Sequence, residues 1–119
     1  MDQNGLENCV FCRIVAGKAP ARMVFQDQQV TAFHDIHPVA PVHVLIVPNR
    51  HIASVNEIQP EDEPMVGHLF TIACQIADSF GIASTGYRLI INTGAHAGQA
   101  VFHLHLHLIG GRRVRFPMG

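Results

Sequence analysis

Three histidines at alternating positions are the residues of this chain best suited to do chemistry. His103, His105 and His107 alternate with leucines in the run VFHLHLHLIGG. On a β-strand the side-chain period is two, so the three imidazoles would share one face, with neighbours roughly 6.5–7 Å apart. Phe102 and the leucines would then line the opposite face, as core residues do. The spacing therefore predicts a strand over residues 101–111 that packs on one face and carries chemistry on the other.

Two kinds of chemistry suit three imidazoles on one face. Neutral imidazoles ligate metals such as zinc. Alternatively, one ring attacks phosphorus while its neighbours hold the phosphate, because imidazole is a nucleophile that is mostly neutral near pH 7. A lone histidine is more often a satisfied core residue, but three on one face reverse that preference. A metal-dependent hydrolase would need a carboxylate or an open coordination position beside the rings, and residues 79–119 contain no Asp or Glu.

The run HLHLHL followed by IGGR resembles the histidine-triad motif, and its GGR continuation is similar to the Hint branch of that superfamily. The strings AFHDI, APVHVLIVP, GYRLIIN and GGR extend the resemblance from about Cys9 to the C-terminus. The resemblance implies a purine nucleoside phosphoramidase-like enzyme, which hydrolyses purine nucleoside phosphoramidates or related adenylates through a nucleotidyl-histidine intermediate. A non-enzymatic nucleotide-binding regulatory protein and a metal-dependent hydrolase with the triad as ligands remain alternatives.

The resemblance also implies a role for each histidine of the site. His105 is the expected nucleophile toward the α-phosphorus, and the backbone of His103 is expected to anchor its tautomer. His107 and His43, the latter in the aliphatic run VHVLIV, are expected to hydrogen-bond the phosphate and offset developing charge. No metal is expected to be required for catalysis.

The implied substrate-binding residues lie outside the triad. Asp35 is expected to accept hydrogen bonds from the ribose hydroxyls, and Ile36 to contact the base. Asn92 and Gln99 would complete the phosphate cradle. Ala100 occupies a position where relatives frequently have Ser, so a hydroxyl that could contact the leaving group is absent here. The remaining implied pocket residues are Phe33 and Val101.

The pair Cys9 and Cys12 forms a C-x-x-C motif, which alone is weak evidence for a metal. It fits two small buried hydrophobes as well as half of a zinc site. The resemblance adds His51 and His103 as the other two ligands. The expectation is therefore a structural zinc site, separate from catalysis.

The composition indicates one globular domain over residues 1–119. Hydrophobic residues make up 48% and charged residues 14% of the chain, which favours a compact core over disorder. A net charge of −1 gives no electrostatic reason to expect a nucleic-acid or membrane partner. The polar start lacks a signal-peptide core and no apolar run suits a membrane span, so a cytoplasmic location is expected.

The elements predict an α+β fold, an antiparallel sheet of about five strands with one long helix and a short N-terminal helix. Residues 1–8 are expected to be flexible, and residues 9–17 to form the short helix. The long helix is predicted over residues 61–80, with Phe70 and Phe80 on its apolar side. Residues 112–119 form a tail that the resemblance places across a homodimer interface, with Phe116 near the substrate. The strands are predicted at residues 22–26, 30–34, 42–47, 87–92 and over the triad.

Overall fold

A five-stranded antiparallel sheet forms the centre of the molecule, with one helix on each face. The computed structural model describes residues 8–115. The strand order is β1-β2-β3-β5-β4, so β3 and β5 are inner neighbours. This arrangement confirms the predicted α+β class. The helices are α1 (Val10–Val15) and α2 (Glu63–Ser79), and the strands are β1 (Met23–Gln26), β2 (Val30–His34), β3 (Val42–Pro48), β4 (Tyr87–Ile90) and β5 (Leu106–Gly110).

Side-chain alternation along β3 divides the interior into two cores. Val44 and Ile46 pack in the larger core beneath α2. Leu45 and Val47 pack in the smaller core beneath α1. Because both faces of β3 are covered, its sequence is almost wholly aliphatic, and the polar exception His43 lies on the α1 face with Leu45.

The triad strand is shorter than predicted. β5 begins at Leu106, so His107 lies on the regular strand whereas His103 and His105 lie in the segment before it. That segment is held by other bonds: the Leu104 N–H donates to the Ile52 carbonyl at 2.7 Å instead of continuing the ladder. Leu104 and Leu106 are buried in the larger core as predicted, but Phe102 is half exposed.

Helix α2 also departs from its prediction at both ends. It begins at Glu63, because residues Pro60–Asp62 form a 3₁₀ turn, and it ends at Ser79. Phe70 and Phe80, predicted to be apolar-face residues, are each 39% exposed. The helix instead buries its face through Leu69, Ile72, Ala73, Ile76 and Ala77.

The short helix α1 begins where the Cys9 side chain accepts the N–H of Cys12. Its apolar residues Phe11 and Ile14 are buried, and Gly17 follows with a φ of 77°. The prediction that residues 1–8 are flexible falls almost wholly outside the described residues, as does the expectation for Phe116. No helix within residues 8–115 is long and apolar enough to cross a membrane.

Candidate active site

The ring of His105 is oriented by the backbone of its neighbour in the triad. His105 Nδ1 lies 2.7 Å from the His103 carbonyl oxygen. A carbonyl only accepts, so Nδ1 carries the proton and Nε2 keeps a free lone pair. Burial lowers the pKa of His105 below its ordinary value, so the ring is neutral and nucleophilic near pH 7.

His43 and His107 form a hydrogen-bonded pair beside that nucleophile. The Val39 backbone N–H donates to His43 Nδ1 at 3.2 Å, so the proton of the neutral His43 ring is on Nε2. That Nε2 lies 2.9 Å from His107 Nδ1 and 3.3 Å from an Asp35 carboxylate oxygen. Since His107 Nδ1 accepts from His43, the proton of the neutral His107 ring is on its Nε2.

The Nε2 atom of His107 is buried and has no hydrogen-bond partner among the described residues. Buried polar atoms are nearly always paired, so an unpaired donor here indicates a group reserved for a ligand. Burial lowers the pKa of His107 to about 4, with the neighbouring rings of His105 and His43 adding to the effect. The ring centroids of His105 and His107 are 5.0 Å apart, which places a nucleophile and an N–H donor side by side.

These groups face a cavity of 380 Å³ between α1 and the sheet. Its volume falls within the range of small-molecule sites. The walls are chiefly apolar. Ile36, one of the lining residues, is 81% exposed, so its side chain is available to contact the apolar face of a ligand. The lining residues are Val10, Phe11, Ile14, Pro20, Ala21, Phe33, His34, Asp35, Ile36, His37, Leu45, Asn92, Gly98, Ala100, Val101, His105 and His107.

Comparison with known proteins agrees with this geometry. The HIT domain family matches residues 16–114. The chain belongs to the histidine-triad (HIT) family. A purine nucleoside phosphoramidase of Escherichia coli strain K12 is 49% identical over 113 residues, covering 95% of this chain and 92% of that protein. The resemblance to the Hint-like branch is thereby confirmed.

Solved structures of HIT proteins share the fold. A HIT family hydrolase from Legionella pneumophila Philadelphia 1 superimposes with a TM-score of 0.91 and 43% identity, covering 94% of this chain and 100% of that chain. A HIT family hydrolase from Clostridium thermocellum gives a TM-score of 0.86 and 48% identity, covering 95% of each chain.

The cavity between α1 and the sheet brings together most of the site residues predicted from the sequence. Seven predicted substrate and catalytic side chains line it with His105, namely Phe33, Asp35, Ile36, Asn92, Ala100, Val101 and His107. His103 and His43 contribute from behind, through a carbonyl and a ring nitrogen. His43 therefore does not line the cavity but bonds His107, which does. Direct contact of His43 with phosphate was predicted from the sequence.

The structure does not bring the Gln99 side chain into the cavity. Gln99 is 4% exposed; its Oε1 accepts from the Gly94 N–H, and its Nε2 donates to the carbonyls of Ala53 and Val101. Its amide groups are thus occupied in shaping the loop before the triad. Direct contact of the Gln99 side chain with a ligand in the cavity, as predicted from the sequence, is therefore not available in this conformation.

Sequence reasoning missed the α1 wall of the cavity. The short helix was predicted without any role at the site, but its residues Phe11 and Ile14 both line the cavity. The Phe11 ring lies edge-on to His105, with centroids 5.1 Å apart. His37, to which no role was given, also lines the cavity. No local signal separates a cavity wall from a core face on so short a helix.

The three triad rings do not converge on one point, as shared metal ligands would. Within residues 8–115, one possible metal-binding group contains His103 and another contains His107 with Asp35 and His43. In the second group, His43 Nε2 carries the proton that the Val39 contact requires, so it offers no lone pair to a cation. That group is accordingly a hydrogen-bond chain, and the geometry disfavours the metal-dependent alternative.

The first group matches the predicted zinc ligands. Ligand atoms of Cys9, Cys12, His51 and His103 lie within 4.8 Å of one another. His103 Nε2 donates to the Pro48 carbonyl at 2.8 Å, which leaves Nδ1 unprotonated and directed at the sulfurs of Cys9 and Cys12, 3.3 and 3.4 Å away. Cys12 Sγ also lies 3.2 Å from His51 Nδ1. Two sulfurs and two imidazole nitrogens form the donor set of a structural zinc site, so these residues fit the ion.

Proposed function

We propose that this HIT protein hydrolyses purine nucleoside 5′-phosphoramidates and related adenylates, with His105 as the nucleophile. The observation that carries this proposal is the pairing of a free His105 Nε2 with the unpartnered N–H donor of His107 in one cavity. The name and activity of the E. coli relative support the same substrate class.

The reaction has two steps. His105 Nε2 attacks the α-phosphorus, a phosphorus–nitrogen bond to the ring forms, and the bond to the leaving amine breaks as that amine takes up a proton from solvent. The ring of the nucleotidyl-histidine keeps its Nδ1 proton and is cationic. Water then attacks the phosphorus and gives a proton to solvent, and the bond to His105 Nε2 breaks, which releases the nucleoside monophosphate and returns the neutral ring. The His107 N–H donates to a phosphate oxygen in both steps and offsets the charge that develops there. Neither step calls on a metal.

The nucleoside occupies the apolar part of the cavity. The base lies against Ile36 and the α1 wall, which explains why an exposed isoleucine stands at the rim. The Asp35 carboxylate accepts from the ribose hydroxyls, as a carboxylate can from two neighbouring donors. Asn92 lines the same cavity as His105 and His107, and its amide is the proposed further donor to the phosphate.

Turnover of adenosine 5′-phosphoramidate by protein treated with a chelator tests this proposal. Wild-type protein should release ammonia and adenosine monophosphate without added metal. His105→Asn should lose turnover but keep nucleotide affinity within about tenfold, because the ring forms its bond chiefly in the transition state. His96→Asn serves as the matched control, because His96 is exposed and does not line the cavity.

The same experiment separates the alternatives. Nucleotide binding without turnover by wild type would identify a binding protein. Turnover that appears only with added metal, although circular dichroism shows that the chelated protein is folded, would favour the metal-dependent hydrolase. A His105→Asn variant that keeps a substantial fraction of the wild-type rate would remove His105 as nucleophile.

We further propose that Cys9, Cys12, His51 and His103 hold a structural zinc ion. Burial, with the neighbouring Cys9 adding to it, raises the pKa of the Cys12 thiol to about 12, so a thiolate here needs a cation to offset its charge. The ion would cross-link α1 to the chain after β3 and to the segment before β5, and would supply no reaction chemistry.

A homodimer is the proposed assembly. Strand β4 pairs with β5 on one side only, and all four of its residues are half-buried. An edge strand of this kind is a ready template for a second copy. Sedimentation equilibrium should give twice the mass of the chain at micromolar concentration, and a monomer throughout would refute the assembly.

A further inference from the structure

Arg112, just beyond β5, contacts the active-site loop across the end of the sheet. Its Nη2 donates to the Val39 carbonyl oxygen at 2.6 Å. Val39 lies in the loop of residues 35–41, between β2 and β3, which has no regular secondary structure. Pro38 and Pro41 in this loop have no N–H to donate, so few backbone bonds hold it. The Asp35 N–H donates to the His43 carbonyl oxygen and the His37 N–H to Asp35 Oδ1, and the contact from Arg112 adds a bond to the Val39 carbonyl.

The same residue, Val39, also holds the active-site histidines with its other backbone group. Its N–H donates to His43 Nδ1, and His43 Nε2 in turn lies 2.9 Å from His107 Nδ1. Arg112 thus connects to the unpartnered His107 N–H through one residue and one imidazole ring. If the Val39 N–H moved away, only the Asp35 carboxylate, 3.3 Å from His43 Nε2, would still favour the Nε2–H tautomer, and the other tautomer, which leaves His107 without its donor, would become more populated.

The close approach of the two segments is built into the backbone. Gly111 has a φ of 94°, and a Cβ atom at that position would lie 2.9 Å from Pro41 Cβ. Only glycine accommodates both the conformation and the contact. This packing brings Arg112 close to Val39, since the neighbouring residue Gly111 already contacts Pro41 of the same loop.

We propose that Arg112 is a positioning residue for the active site: by holding Val39 it fixes the tautomers of His43 and His107 so that His107 presents an N–H to the phosphate. Arg112 touches neither the cavity nor the reacting atoms. Its kinetic consequence rests on the function proposed above, whereas its effect on the tautomers does not.

The test compares Arg112→Met, which keeps the aliphatic stem but no donor, with Arg112→Lys, which keeps a donor. Arg113→Met is the matched control, because Arg113 is also exposed and is next in the chain. Long-range ¹H–¹⁵N spectra of histidine-labelled protein report the protonated nitrogen of each ring. Wild type, Arg112→Lys and Arg113→Met should show His43 protonated at Nε2 alone, and Arg112→Met should show a measurable share of the ring protonated at Nδ1.

Kinetics on adenosine 5′-phosphoramidate supply the second measurement. For Arg112→Met, kcat should fall by about threefold to tenfold, the range of one hydrogen bond, with KM within about twofold. Arg112→Lys should recover most of the rate. His43 spectra that are the same in Arg112→Met and Arg113→Met would overturn the inference, whether or not kcat falls. If wild type hydrolyses no phosphoramidate, the proposed function fails, and the spectra alone decide the role of Arg112.

Discussion

His103 takes part in two sites through three different atoms. Its Nδ1 faces the two cysteine sulfurs, its Nε2 donates to Pro48, and its carbonyl oxygen accepts from His105. The side chain belongs to the proposed zinc site and the backbone to the catalytic site. Because the contact with His105 uses the backbone carbonyl, it depends on the position of residue 103 more than on its imidazole side chain. The orientation of His105, the proposed nucleophile, therefore depends on the path of the chain at residue 103.

Ala100 carries the residue-scale prediction about leaving groups. It lines the cavity with His105, and a methyl group cannot hydrogen-bond a departing nitrogen. Ala100→Ser should therefore speed hydrolysis of poor amine leaving groups by about fivefold, the size of one hydrogen bond of roughly 1 kcal/mol. The measurement is kcat/KM for both proteins over a series of leaving groups, and the gain should shrink for adenylated acids. Equal ratios across the series would show that the hydroxyl has no contact with the leaving group.

At the scale of elements, helix α1 is attached to the sheet at two levels. Phe11 and Ile14 pack in the smaller core and line the cavity, and the cysteines at its N-terminal end face His51 and His103. Six helical residues are too few to be stable by themselves. The helix, and with it one wall of the cavity, thus depends on tertiary contacts.

Removal of the cysteines should show how much the proposed zinc contributes. Elemental analysis should find about one zinc per chain in wild type, and Cys9→Ser and Cys12→Ser should lose it. The melting temperature should fall by roughly 5 °C or more, with kcat retained, because the partner of His105 is a carbonyl. Cys74→Ser, an exposed thiol on α2, is the control. A zinc-free wild type as stable as these variants would mean that the cysteines are only buried apolar residues.

Elements with a local signal were predicted best. The alternation of Leu104 and Leu106 with histidines was sufficient to identify their buried face, because period two is a property of neighbouring residues. The start of β5 could not be predicted in the same way. It depends on backbone carbonyls that the residues after β3 offer, such as that of Ile52. Gln99 was assigned to phosphate, but its partners are set by how the loop folds. The contact of Arg112 with Val39 gave no local signal, because the two residues are 73 positions apart.

The turn between β1 and β2 offers an element-scale test of stability. Asp27 Oδ1 accepts the N–H groups of Gln29 and Val30 at 2.8 Å each, and Oδ2 lies 2.7 Å from His68 Nε2 on α2. Asp27→Ala should lower the free energy of unfolding by about 1–2 kcal/mol. His68→Ala removes one contact and should cost less than half of that. Urea denaturation gives both values, and equal losses would show that the turn bonds contribute nothing.

At the scale of the whole molecule, the cavity is formed from imidazoles that folding keeps neutral. Burial lowers the pKa of His43 and His105, and that of His107 to about 4. A neutral ring can serve as a nucleophile or as a single hydrogen-bond donor. The same burial that suits the rings to these roles therefore also disfavours their protonated, charged forms. Because the pKa values of these rings differ between the folded and unfolded states, the free energy of unfolding of the whole domain should depend on pH.

Stability should fall as pH falls from about 6.5 to about 4. In that window an unfolded histidine takes up a proton while the folded His107 does not, so the unfolded state binds more protons and gains on acidification. Each such ring contributes at most about 1.4 kcal/mol per pH unit. Carboxylates with lowered pKa, such as Asp27, begin to lose their contribution only as pH falls below about 5, so they add little slope between pH 7.5 and 5. Denaturation at pH 7.5, 6 and 5 should give a positive slope that is shallower in His107→Asn and unchanged in His96→Asn, whose residue lies on an exposed turn. A free energy of unfolding that stays level or rises on acidification would show that the buried rings accept protons in the folded protein, and that the His43–His107 chain does not hold them neutral.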